Sequence, residues 1–154
     1  MNARRVVAAT VAVVLVTMTA GVIPAAAGTT YQDEGCSPGY WKNHTDEWWE
    51  NETTLIPTTR NFHSTFGVDM IKKVTFIEAL QGGGGPGLAG AEKILARAAT
   101  AAYLNAATED DLLDYPYSRA ELRVLVQEAW GDRGEMLALA SSLDALNNLG
   151  ASIC

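Results

Sequence analysis

The sequence predicts an all-α domain, a compact bundle of about four main helices plus short ones, closed by one disulfide. Three observations carry that expectation. Apolar residues recur at helical spacing over several long stretches, and capping boxes stand at Thr75 and Ser118. The cysteines are two, Cys36 near the start of the patterned region and Cys154 at its end. No stretch alternates apolar and polar residues over the length of a strand, so no sheet is expected.

Residues 1–27 stand apart. Arg4 and Arg5 precede an apolar run over 6–23, which is followed by Pro24 and Ala25-Ala26-Ala27. A basic start, an apolar middle and a small-residue site describe a secretory signal peptide cleaved after Ala27. The alternative is an uncleaved N-terminal anchor, since the run is long; Pro24 and the alanines behind it favour cleavage. Residues 28–154 then form one secreted helical domain, an ample size for a single core. Both arginines leave with the signal and no acid does. Lys plus Arg falls from 11 to 9 against 18 Asp plus Glu, a net charge of −9. Such a balance argues against nucleic-acid binding, which needs clustered cations, and against adhesion to anionic lipid once the signal is gone.

The elements follow in chain order. Pro38-Gly39 reads as a turn that pins the aromatic run behind it. Thr45 can cap a brief helix with Asp46 and Glu47 in its first turn. Residues 52–68 are rich in Thr, with Pro57, Asn61 and Gly67, and read as loop; residues 69–73 can hold a turn of helix. Thr75-Phe76-Ile77-Glu78 opens a short helix over 76–81 that stops at Gly82.

The run Gly82-Gly83-Gly84-Gly85-Pro86-Gly87 satisfies G-x-G-x-x-G at Gly82, Gly84 and Gly87. A dinucleotide site needs a buried strand before it, and here a helix precedes, so the run reads as a connector and no cofactor is expected. The long helix over 88–107 presents Leu88, Ala91, Leu95, Ala98, Ala102 and Ala106 inward, with Glu92, Lys93 and Arg97 on the wetter side. Thr108 heads a short helix to Leu113, ended by Tyr115-Pro116. Ser118 and Glu121 open a helix to Trp130 with Leu122, Leu125, Val126 and Ala129 on one face. A last helix over 135–149 turns Met136, Leu139, Ala140, Leu143 and Leu146 inward, and Gly150 suits its C-terminal cap.

Export implies an oxidising compartment, where an even cysteine count makes Cys36–Cys154 the simplest pairing. An intermolecular bond and metal ligation by Cys36 are the rivals.

Chemistry concentrates in Cys36-Ser-Pro-Gly-Tyr-Trp-Lys-Asn-His44 and the residues to Trp49, which hold three of the 4 tryptophans. The ligand-binding candidates are Tyr40, Trp41, Lys42, Asn43, His44, Trp48 and Trp49. Aromatic faces stack on sugar rings and the polar neighbours bond hydroxyls. A structural reading competes for Trp41, buried beside the disulfide, with Asn43 and His44 bonding turn backbone. Trp48 and Trp49 are adjacent, so one enters the core and the other stays partly exposed; Tyr40, Trp48 and Trp49 are the candidates for exposure. No metal is expected, because His44 and His63 lack ligand spacing and Glu109-Asp110-Asp111 lacks a calcium-loop pattern.

The stretch Cys36–His44 resembles the opening motif of a group of secreted microbial domains of unknown function. Resemblance extends to the glycine connector leading into Ile94-Leu95-Ala96-Arg97-Ala98-Ala99, to Tyr103-Leu104-Asn105-Ala106-Ala107, and to Leu146-Asn147-Asn148 with a closing Cys. It implies export and a shared fold, and no catalytic residues.

Three functions are then in play. The leading one is a non-catalytic extracellular domain binding carbohydrate such as extracellular polysaccharide, envelope material or another secreted protein through segment 40–49. Alternatives are a small secreted hydrolase of polysaccharide or peptide centred on His44, Asp46 and Glu47, and a purely structural module.

Overall fold

The computed structural model describes residues 33–51, 53–108 and 113–154, and these are mostly helical. The expected signal peptide lies outside the described residues, as does the body of the helix expected between Thr108 and Leu113. The order is α1 (Pro38–Asn43), a 3-10 turn (Thr45–Glu47), β1 (Trp49–Asn51), β2 (Thr54–Leu55), α2 (Phe62–Phe66), α3 (Phe76–Gln81), α4 (Gly87–Asn105), α5 (Arg119–Ala129) and α6 (Arg133–Asn147). Among the described residues three helices are long rather than four: α4, α5 and α6, of 19, 11 and 15 residues. None of them is long and apolar enough to cross a membrane.

The domain is not purely α-helical. Strands β1 and β2 form an antiparallel hairpin in which Trp49 pairs with Leu55. Strands of 3 and 2 residues are too short to show an alternating pattern, so the sequence could not announce them. The stretch read as loop also contains α2. Its rings Phe62 and Phe66 lie one helical turn apart, both buried, and stack at 4.4 Å. Gly67 ends α2 at φ 70°, the left-handed cap that suits glycine. Residues 69–73 are not helical. Side chains from elsewhere hold that backbone instead: Trp130 Nε1 donates to the Asp69 carbonyl at 2.9 Å, and Ile71 N–H to Glu92 Oε2 at 3.1 Å.

Helix α3 keeps its predicted bounds, because both halves of the Thr75–Glu78 capping box form. Helix α4 is the centre, in contact with α1, α3, α5 and, most extensively, α6. Its alanine faces explain this, since Ala98, Ala99, Ala101 and Ala102 are all buried and let neighbours approach closely. Two expectations for α4 fail. Glu92 is 4% exposed rather than wet, because its carboxylate takes the Ile71 amide. Leu88 is exposed, continuous with the exposed run 83–87 before it. Helix α5 buries Leu122, Val126 and Ala129, leaving Leu125 half-buried. Helix α6 starts earlier than predicted because Asp132 caps it, accepting from Glu135 N–H at 2.9 Å. An aromatic cluster of Trp48, Phe62, Phe66, Phe76, Tyr103 and Trp130 packs between α2, α3, α4 and α5 at centroid distances of 4.4 to 6.5 Å.

Cys36 and Cys154 are joined within the chain, across 118 residues of sequence. Gly150 does not cap α6, a role taken by Asn148. Instead it sits at φ 86° and pairs with Gly35 in an antiparallel bridge that brings the two cysteines together. A Cβ at Gly35 would collide with the Leu146 carbonyl oxygen, a backbone atom rather than the end of a flexible side chain. Gly35→Ala should therefore destabilise the domain by about 1–3 kcal/mol, read as a lower urea midpoint; an unchanged midpoint would show that the bridge is dispensable.

Candidate functional site

Pro38-Gly39 does not make a free-standing turn. Ser37 caps α1, its Oγ accepting from Tyr40 N–H at 3.2 Å, and Pro38 occupies the first helical turn where its missing N–H is harmless. The resulting six-residue helix faces two ways, and the candidate residues divide accordingly.

The inward side is a lock. Trp41 is fully buried and its Nε1 donates to Asn105 Oδ1 at 2.8 Å. The same oxygen accepts from Cys36 N–H at 2.9 Å, while Asn105 Nδ2 donates to the Cys36 carbonyl at 3.1 Å and to Asn147 Oδ1 at 2.9 Å. Asn147 Oδ1 also accepts from Tyr115 OH at 2.9 Å, and its Nδ2 donates to the Ala98 carbonyl at 3.0 Å. Both amides are inaccessible to solvent with their bonding groups occupied, so the network fixes α1, α4 and α6 against one another. Burial raises the Tyr115 hydroxyl's pKa, keeping it a neutral donor.

Trp48 belongs to this interior as well. It is fully buried, and its Nε1 donates to the Trp41 carbonyl at 2.9 Å, so the expectation that it is exposed is wrong. Its neighbour Trp49 is 40% exposed, as adjacency demands that the pair diverge. Opposite it on the hairpin, Leu55 is exposed too.

The outward side carries the rest of the motif. Lys42 and Asn43 are exposed, and Asn43 Nδ2 donates to the Gly39 carbonyl at 3.0 Å. The half-buried Tyr40 and His44 rings stack at 4.1 Å, 19° from parallel. His44 Nδ1 lies 2.9 Å from the Tyr40 carbonyl, which makes it the protonated nitrogen and leaves Nε2 the acceptor in the neutral ring. Tyr40 OH donates to Glu47 Oε2. Desolvation, with the hydrogen bond and charge of Glu47 behind it, pushes the Tyr40 hydroxyl up to about 12. Thr45 lies inside the 3-10 turn and does not cap it; His44 holds that position.

A second polar cluster borders the hairpin. Arg60 grips Glu50 with both Nη atoms, at 3.0 and 2.8 Å, and Arg119 Nη1 lies 3.8 Å from the same carboxylate. The Arg60 hydrogen bonds hold the Glu50 carboxyl below its usual range. Arg119 also covers the Tyr103 ring at 5.7 Å. No sequence spacing could have announced this group. The Asn105–Asn147 pair did leave a signal, because both polar amides fall in phase with apolar helix faces.

The polar centre considered for hydrolysis is engaged locally, with Glu47 on Tyr40 and His44 on backbone. Cys36 is no thiolate, its sulfur being bonded to Cys154. Among the described residues no group of three or more His, Cys, Asp or Glu side chains could hold a metal ion. Comparison of the chain with protein families, curated proteins and solved structures finds no match.

Proposed function

We propose that residues 28–154 are an exported, non-catalytic domain that binds envelope polysaccharide through the outward residues of segment 40–49. The observation that carries this reading is the stacked Tyr40–His44 pair, held by Glu47 beside exposed Lys42 and Asn43 on a helix anchored from behind. The outer face of such a stack, edged by hydrogen-bonding groups, is complementary to a sugar, whose own faces are apolar and whose edges are polar. Trp49 offers a further exposed ring. Export is supported by the basic-apolar-small pattern of the first 27 residues, by the disulfide and by the resemblance of the motif to secreted microbial domains.

Co-sedimentation with insoluble cell-wall polysaccharide tests it. Tyr40→Ala and Trp49→Ala should each weaken binding about 5–10-fold, roughly 1–1.4 kcal/mol, with little change in melting temperature. Wild-type binding in both variants would remove the proposed surface. Release of reducing sugar by the wild type, lost in His44→Ala, would move the reading to a hydrolase.

A purely structural role is the second reading. It is favoured by Trp41 and Trp48, whose indole N–H groups are both satisfied inside the fold. Absence of binding to any wall fraction, with Trp41→Ala unfolding the domain, is its expected signature.

A further inference from the structure

A solvent-open cleft of about 220 Å³ lies where α4 meets α6, lined also by Gly82–Gly84. Its walls carry Arg97 from α4 and Ser141 and Asp144 from α6, with Ile94 and Leu137 beside them and Ala98 and Ala140 as the buried floor. Arg97 and Asp144 line one cavity yet form no ion pair, with each other or with any other group among the described residues. The Ser141 hydroxyl likewise donates to no protein group there, while neighbouring Ser142 bonds the Ala138 carbonyl. The amides of Gly83 and Gly84 make no backbone hydrogen bond among those residues.

We propose that this cleft binds a small zwitterion, a free α-amino acid with an apolar side chain. The ligand's carboxylate meets the Arg97 guanidinium, its ammonium meets the Asp144 carboxylate, and its side chain lies on Ile94, Leu137 and the alanine floor. A guanidinium is the strongest carboxylate partner among side chains, and the Ser141 hydroxyl and free glycine amides add donors to the same anion. A molecule that carries its two opposite charges on groups flanking one carbon can span opposite charges on facing helices that do not meet. The cavity lies below the about 300–1,000 Å³ that encloses a drug-sized ligand, so the occupant is small. The neighbouring cleft across the glycine segment lacks this arrangement, because its Glu78 is engaged in capping Thr75.

Titration of the ¹⁵N-labelled domain with L-leucine tests the site, followed by N-acetyl-L-leucine, L-leucine amide and the dipeptide Leu-Leu. Saturable amide shifts at Gly83, Gly84, Arg97 and Ser141 are expected with L-leucine at millimolar concentration. Masking either charge of the ligand, or separating the charges in the dipeptide, should weaken binding at least about tenfold, or 1.4 kcal/mol. Arg97→Gln and Asp144→Asn should do the same with circular dichroism unchanged. No saturable shift in the wild type up to about 50 mM, far above the about 1 mM that marks weak specific binding, overturns the proposal. So does equal binding of the acetylated ligand, or wild-type affinity in both variants. None of these outcomes bears on the Tyr40–His44 surface, which the cleft does not include.

Discussion

Asn105→Ala is expected to destabilise the domain by about 3–5 kcal/mol, because it strands buried partners. Truncation removes the one acceptor shared by Cys36 N–H and Trp41 Nε1, and the donor to the Cys36 carbonyl and Asn147 Oδ1. Asn147 Oδ1 keeps its bond from Tyr115, but the two donors at Cys36 and Trp41 are left in a dry interior. Each such donor costs about 1–3 kcal/mol, before the cavity is counted. Urea unfolding of the oxidised protein measures the loss. A change below about 1 kcal/mol would mean that solvent or a shifted side chain replaces the amide, and the hub would not be what holds α1.

Removing the disulfide should be of similar size through a different route. Its two ends are 118 residues apart, so the bond restrains the unfolded chain over nearly all the described region. The chain-entropy account gives about 4–5 kcal/mol for a loop of that length, a large share of the about 5–15 kcal/mol that holds an ordinary domain folded. Cys36→Ser with Cys154→Ser, or simple reduction, should lower the melting temperature by about 10–20 °C. The Gly35–Gly150 bridge and the Asn105 bonds to Cys36 remain in place, so helix content should persist at room temperature. A melting temperature indifferent to reductant would show that those contacts close the loop by themselves. The hub and the disulfide meet at Cys36, and the combined variants should depart from additivity.

The parts of this fold that were readable in advance are those decided within a few residues. Thr75 and Ser118 each stand three places before a glutamate, and both capping boxes form. Ala98, Ala102 and Leu95 kept the phase that made α4 the centre. The divergence of Trp48 and Trp49 needed only their adjacency. Which of the two went inside did not follow, and the expectation of an exposed Trp48 failed because its indole finds the Trp41 carbonyl. Phe62 and Phe66 lay hidden in a stretch whose Thr and Pro content spoke for loop. Their helix exists because Trp130, Tyr103 and Phe76 give those rings somewhere to pack.

The candidate site divides the same way. Segment 36–49 stood out at once, through its aromatic density and its Pro-Gly pair. Its split into a buried lock and a partly exposed outer side follows Asn105, which reaches Trp41 from 64 residues away and is itself held by Asn147. Glu92 tells the same story, a charged residue on a helix face predicted to be wet and drawn inside by the Ile71 amide.

By itself the sequence determined where α3, α4 and α5 start to within a residue, that helix dominates, and that two cysteines frame the domain. These follow from capping, periodicity and counting, all short-range or arithmetical properties of the chain. Only the tertiary structure decided that Glu92 is enclosed, which tryptophan is wet, and that a short hairpin leads out of the motif. Those outcomes turn on whether a partner from a distant helix arrives within hydrogen-bonding or packing distance, and no local pattern carries that information.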